Sequence, residues 1–180
     1  MEFADVVKTR TSIRTYSDKE VEDEKLRYVL DCARLAPSWA NKQCWRFIVV
    51  KNKDVIAEIA KNSLINRWLK TAPVIIVACA DPTDSGTNKD IEYFKVDVAI
   101  ALENLVLAAT DVNLGTCWIG GFNEEKIKTQ LEIPKRIRII ALTPLGYPAD
   151  KKKLVSKITS LIVNGGKRKS LDEIVHYEHW

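Results

Sequence analysis

Between Asp97 and Thr110, ten of fourteen residues are apolar, and the exceptions, Asp97, Glu103, Asn104 and Thr110, recur near a seven-residue spacing. The pattern predicts a helix over about 93–112 with only a narrow polar stripe. A chain of 180 residues has few ways to cover such a helix on nearly every side. Packing two copies against one another in a C2 homodimer is the commonest solution, and a single central helix of a monomer is the alternative.

The segments around it supply the other layers. Val74-Ile75-Ile76-Val77-Ala78-Cys79-Ala80 is a continuous apolar run of strand length, as expected of a central strand covered on both faces. Further strands are predicted over 46–50, over 114–122, opened at both ends by glycine, and over 136–145. Phe3, Val6 and Val7 predict a short first helix, and Leu26, Val29, Leu30 and Ala33 a second that Pro37 stops. Asp54 is a candidate cap for a helix over 55–61, Leu64 to Leu69 reads as another helical turn or two, and Glu124 to Leu131 as a further helix. The order of elements predicts a single domain over 1–180, an α+β or α/β three-layer fold without repeats.

Charge and cysteine usage exclude several classes. The net charge, 28 basic minus 24 acidic residues, is +4. That is too small to argue for nucleic acid, and the basic clusters Lys151-Lys152-Lys153 and Lys167-Arg168-Lys169 are local. Cys32, Cys44, Cys79 and Cys117 show no paired spacing and read as buried thiols of a reducing compartment. The only histidines, His176 and His179, lie at the end of the sequence, which leaves no His-based metal site and no Ser-His or Cys-His dyad in the body of the chain. No run reaches membrane-spanning length and the first residues do not resemble a secretory signal, so a cytoplasmic location without membrane attachment is expected.

Three stretches carry chemistry. Arg10-Thr11-Ser12-Ile13-Arg14 places two guanidiniums and two hydroxyls within five residues, the makings of a phosphate clasp, although the same spacing occurs on ordinary solvated surfaces. Ala36-Pro37-Ser38-Trp39-Ala40-Asn41-Lys42-Gln43-Cys44-Trp45 puts amides and indoles into one loop. Amides can read the edge of a heterocycle and an indole can stack on its face; the plainer reading is a polar turn beside core tryptophans. Gly120-Gly121 would let backbone N–H groups approach a flat ligand, or would simply turn the chain before the next helix.

Taken in order, these stretches resemble the FMN-dependent nitroreductases. The matching motifs are Arg10-Thr11-Ser12-Ile13-Arg14; Ala36-Pro37-Ser38 with Asn41 and Gln43-Cys44-Trp45; Gly115-Thr116-Cys117-Trp118-Ile119-Gly120-Gly121; Leu145-Gly146-Tyr147-Pro148; and Arg168-Lys169-Ser170-Leu171 leading into Val175-His176-Tyr177. The resemblance implies an α+β fold, a three-layer α/β/α sandwich with a mostly antiparallel central sheet. It also implies an intertwined homodimer with two FMN sites built from both subunits. By motif, Arg10 and Ser12, with Arg168 and Lys169, would hold the FMN phosphate, and Thr11 between them belongs to the same cofactor-binding stretch. Arg14 would reach the phosphate or the pyrimidine edge. Pro37, Ser38, Trp39, Asn41 and Gln43 match the segment that reaches the partner's flavin, and Trp118, Ile119, Gly120 and Gly121 the stretch whose backbone lies along the isoalloxazine.

The implied activity is ping-pong hydride transfer from NADH or NADPH through flavin N5 to a small acceptor such as a nitroaromatic or quinone, with no catalytic side chain and no metal. A specialised flavoprotein of the same fold, such as a reductive dehalogenase, and an FMN-binding protein without turnover are the alternatives. The sequence departs from the family pattern at Cys44, where proline is usual, at Trp39, where a small residue is common, and in the short 81–92 connection.

Overall fold

The structure, a computed structural model, describes residues 1–149 and 168–180. The chain divides into two units, Met1–Asp150 and Lys151–Trp180. In the first, the seven apolar residues of strand β2, Val74–Ala80, are all buried. The strand lies inside a four-stranded sheet of order β1-β2-β6-β5, made with β1 (Trp45–Val50), β6 (Arg138–Gly146) and β5 (Gly115–Thr116). Every pairing is antiparallel: Trp45 faces Ala80, Val74 faces Leu145 and Gly115 faces Gly146, with a register shift between Ala78 and Cys79. The fold is therefore α+β.

Successive side chains of a strand point to opposite faces, and β2 divides accordingly. Ile76, Ala78 and Ala80 pack with helices α2 (Asp23–Arg34) and α4 (Tyr93–Asp111). Ile75, Val77 and Cys79 pack with α3 (Lys53–Lys61) and α5 (Glu124–Gln130) on the other side. Two cores with one sheet between them make the three layers. The first helix, α1 (Phe3–Thr9), lies against α4, burying Val6 and leaving Phe3 and Val7 exposed. A small hairpin, β3 (Thr87–Asn88) and β4 (Ile91–Glu92), occupies the connection before α4.

Several local expectations are corrected. The cap of α3 is Asn52, whose carboxamide oxygen accepts from the N–H groups of Asp54 and Val55 at 2.9 and 3.1 Å, so Asp54 falls in the first turn. The turn expected over 64–69 is a 3-10 helix at Arg67–Thr71. The strand expected over 114–122 is regular only at Gly115–Thr116; Cys117 and Trp118 leave the ladder, where Cys117 would face Pro144 and its missing N–H, and Ile119 rejoins the sheet opposite Leu142.

The polar stripe of α4 is not a solvent stripe. Asp97 is buried, whereas Val96, Ile100 and Glu103 are exposed, with Leu107 half-buried, at the i, i+4, i+7, i+11 spacing of one helix face. This face is mainly apolar.

In the second unit, Ser170 and Glu173 form a capping box on the short 3-10 helix Leu171–Glu173, and the His176 and Trp180 rings stack at 4.8 Å. Lys151, Lys152, Lys153 and Lys167 lie outside the described residues. Among the described residues no helix is long and apolar enough to cross a membrane.

Candidate functional site

Arg10 ends α1, its N–H donating to Val6 O at 2.9 Å, and the extended chain beyond it runs beside β5. Ser12 and Thr116 form a parallel bridge, and the Ile13 N–H donates to Thr116 O at 2.8 Å. The Ile13 side chain fills the space over Gly115, where an added Cβ would stand 2.6 Å from Ile13 Cγ1. These contacts join the two motifs and bring the 10–14 stretch alongside Cys117. Burial pushes the Cys117 thiol up, and Arg14, Ser12 and Arg10 oppose that rise.

Among the described residues neither Arg10 nor Arg14 forms an ion pair with a carboxylate within 4 Å, although the Arg10 charge is felt at Glu103. Among the described residues the arginine ion pairs use Arg34, Arg46, Arg136 and Arg138. Arg14 Nη1 only folds back toward Ser12 O at 3.5 Å. Thr11 is exposed.

Beyond Cys117 the surface opens. Trp118 is 43% exposed, while Ile119 is buried and exchanges two 2.9 Å backbone hydrogen bonds with Leu142. Ile119 therefore anchors the stretch and does not face solvent. Among the described residues nothing lies within 4 Å of the position a Cβ would take at Gly120, and only Leu64 Cδ1 does at Gly121, at 3.3 Å. Among the described residues the N–H groups of Gly120 and Gly121 have no hydrogen-bond partner.

The 38–43 loop is held in a contorted shape. Ala40, Asn41 and Gln43 have φ of 44°, 55° and 52°, a region that costs L-residues energy and persists only where surrounding contacts enforce it. Ser38 Oγ accepts from the Gln43 N–H at 2.9 Å, and Gln43 Nε2 donates to Asn41 Oδ1 at 3.1 Å. Pro37 precedes the loop and is exposed. The buried anchor is Asp97, whose carboxylate accepts from the Trp39 N–H at 2.8 Å, from Ser85 Oγ at 2.7 Å and from Cys44 Sγ at 3.5 Å. Burial, with the Asp97 charge beside it, pushes the Cys44 thiol up to about 12, so it remains protonated and can donate. The Trp39 indole rests on the Tyr93 ring, centroids 4.3 Å apart.

Two groups of predicted residues thus result. Arg10, Ser12 and Arg14 come together with the 117–121 stretch. Among the described residues no hydrogen bond joins Ser38, Trp39, Asn41 or Gln43 to them. The two groups touch α4 at different points: Trp39 binds Asp97, whereas Arg10 acts on Glu103, whose carboxyl burial raises and Arg10 lowers. Six helical residues separate these contacts, about 9 Å along the axis. Arg168 and Lys169 belong to the second unit, where both are exposed.

Sequence reasoning missed Asp97 as an anchor, together with Ser85, Gly86 and Tyr93. A lone carboxylate in an otherwise apolar helix was the available signal, because such a group must find donors when buried. As a donor set, two guanidiniums without an ion pair among the described residues, a serine hydroxyl and two open backbone N–H groups suit a flat, polar heterocycle carrying an anionic tail. Among the described residues no group of three or more His, Cys, Asp or Glu side chains is placed to hold a metal.

Comparison with known proteins agrees with this chemistry. The model of the nitroreductase family matches residues 7–66 and 60–147. An Archaeoglobus fulgidus protein named as an NADH dehydrogenase/NAD(P)H nitroreductase is 37% identical over 151 residues, 82% of this chain and 86% of that one. The Bacillus subtilis FMN reductase [NAD(P)H] is 28% identical over 180 residues, 89% of this chain and 72% of its own. Among solved structures, a nitroreductase family protein from Clostridium novyi superposes with a TM-score of 0.81 at 43% identity, covering 86% of this chain and 89% of that one.

Proposed function

The chain belongs to the nitroreductase family and is an NAD(P)H-dependent flavin oxidoreductase; on that premise we propose that it binds FMN and reduces small acceptors such as nitroaromatics or quinones in a ping-pong cycle. The observation that carries the reading is the Gly120 N–H, unpartnered among the described residues, four residues beyond the Thr116–Ser12 bridge that joins this stretch to the Arg10–Arg14 clasp. When bound, FMN supplies the redox chemistry, accepting a hydride at N5 from NADH or NADPH and delivering it to the second substrate.

The protein's part is to bind, orient and tune. Arg10 and Ser12 would hold the phosphate. Arg14 would bring a cation to the phosphate or the pyrimidine edge, favouring the negative charge that reduction places on the ring. The Gly120 and Gly121 N–H groups are donors that need no reorganisation, the most effective form of electrostatic stabilisation. Ile119, tied to Leu142, keeps that backbone in place. No side chain is required as a general acid or base, because solvent can supply protons.

The site would be completed by a second copy. The 38–43 loop lies along α4 from the clasp of its own chain, and the exposed apolar face of α4 is a surface on which a partner would pack. Ser38, Asn41 and Gln43 of one subunit would then serve the flavin of the other.

The test is the visible spectrum of the purified protein, followed anaerobically after NADH and then NADPH. Yellow protein that bleaches within seconds and recovers on adding a nitroaromatic or quinone is expected. Colourless protein unable to take up FMN would refute the reading, and yellow protein that neither nicotinamide bleaches would refute the reductase part of it.

A further inference from the structure

We propose that Asp97 is a positioning residue that fixes Trp39, and that the fixed indole is a specificity-determining wall selecting flat aromatic acceptors. The inference rests on the flavin reading for the place of the 38–43 loop and goes beyond it in naming what orders the loop and what Trp39 does.

Trp39 is immobilised from three directions. Its backbone N–H is held at 2.8 Å by the buried Asp97 carboxylate, which also ties down Ser85 and Cys44. One side of its indole meets Tyr93 at 4.3 Å. Gly86, one residue beyond Ser85, passes so close that an added Cβ would stand 2.2 Å from Nε1 and 2.4 Å from Cε2 of the ring. A glycine is therefore required at 86 for the indole to lie where it does. Even so packed, Trp39 remains 38% exposed, which leaves part of a rigid aromatic surface open beside Ser38 and Asn41.

A rigid aromatic surface attracts flat rings by stacking and gives no such help to compact or hydrated oxidants. Asp97 and Gly86 act on Trp39 by different means, one through the backbone and one through the side-chain space, and neither touches the clasp. A change at Gly86, which bears on the indole and not on the backbone hydrogen bond of the loop, should therefore alter acceptor choice while leaving cofactor retention alone. The Cys44 position falls into the same arrangement: proline there would lack the thiol that completes the donor set around Asp97.

The experiment uses FMN-loaded protein and two oxidants, a nitrofuran and ferricyanide, with saturating NADH or NADPH. Gly86→Ala should raise KM for the nitrofuran about two- to tenfold, the range expected for one aromatic contact. FMN content, the rate of bleaching by nicotinamide and turnover with ferricyanide should stay within about twofold. Asp97→Ala should act in the same direction, and Asp97→Asn, which keeps an oxygen for the Trp39 N–H, should restore most of the wild-type KM. Should Asp97→Ala fail to fold, Gly86→Ala and Asp97→Asn still decide the matter.

A readout independent of turnover is the indole N–H resonance of Trp39, identified by its loss in Trp39→Phe. It should be displaced in Gly86→Ala, and a resonance unmoved by that change would overturn the wedge. Wild-type turnover with an unaltered nitrofuran KM in Gly86→Ala would overturn the wall and leave the reductase intact. Wild-type protein that holds no flavin would overturn the functional reading, and the wall with it, whatever the resonance does.

Discussion

Replacing Ile100 by glutamate tests whether the apolar face of α4 is the surface on which a second copy packs. Ile100 is 37% exposed, on one line with Val96 and Glu103. Fully burying an isoleucine side chain contributes about 1.5–3 kcal/mol, so covering the exposed 37% contributes about 0.5–1 kcal/mol per copy. A twofold interface counts the residue twice, about 1–2 kcal/mol in all. The substitution removes that term and adds carboxylates beside Glu103, so the dimer should dissociate at least about tenfold more readily. In an isolated monomer the same surface change should alter folding stability by less than about 0.5 kcal/mol. Sedimentation across a dilution series separates these outcomes, and flavin release should follow dissociation if the loop of one copy completes the site of the other. Leu102→Ala is the control: its side chain is fully buried inside the chain, so it should cost about 2–5 kcal/mol of folding free energy. An Ile100→Glu protein with unaltered dissociation would refute the assignment of this face.

Three further outcomes are expected. Arg10→Ala combined with Ser12→Ala should yield colourless protein of unchanged oligomeric state, and stoichiometric FMN in that variant would remove these residues from the phosphate site. Arg136, 2.7 Å away, and Thr83 hold the Asp81 carboxyl down at about 2, against an ordinary 3.8. Because the folded value is the lower one, the stabilisation is present above about pH 4 and lost as the pH falls toward 2; Arg136→Ala should flatten the acid limb of a urea-midpoint profile, and an unchanged limb would count against the pair. Ala40→Gly should relieve about 1–2 kcal/mol of left-handed strain and return about 0.5–1 kcal/mol through a freer unfolded chain, a net rise in Tm of about 1–3 °C; a clear fall would mean that Ala40 is not strained.

The layers were legible in the sequence because periodicity reports burial directly. Val74–Ala80 announced a central strand and 93–112 an apolar helix, and both stand within a residue or two of expectation. What periodicity could not reveal is which long-range partner a polar group finds. Asp97 reads in sequence as one member of a stripe, and only the return of 38–44 and 85–86 to the head of α4 makes it a buried acceptor of three hydrogen bonds. The 114–122 strand is interrupted for a related reason: in the register of Thr116 with Leu145 and Ile119 with Leu142, Cys117 falls opposite Pro144, which has no N–H to give to the ladder. The clasp and the glycine stretch were recognisable as motifs, but their adjacency is a product of the fold. Asn52 was overlooked because an aspartate stood two residues away and helix starts are read from such local cues.

The position of β2 also shapes how the chain can be made. Its first neighbour, β1, precedes it, and the two can pair as soon as residue 80 has left the ribosome. Its second neighbour, β6, begins only at Arg138. Until then an almost wholly apolar strand has a free edge, and such edges recruit strands from other chains. Synthesis at about 5–20 residues per second leaves that edge open for several seconds. Efficient production therefore depends on α2 and α4, both complete before β6, covering one face of β2 early, and on chaperones or low nascent-chain density protecting the rest.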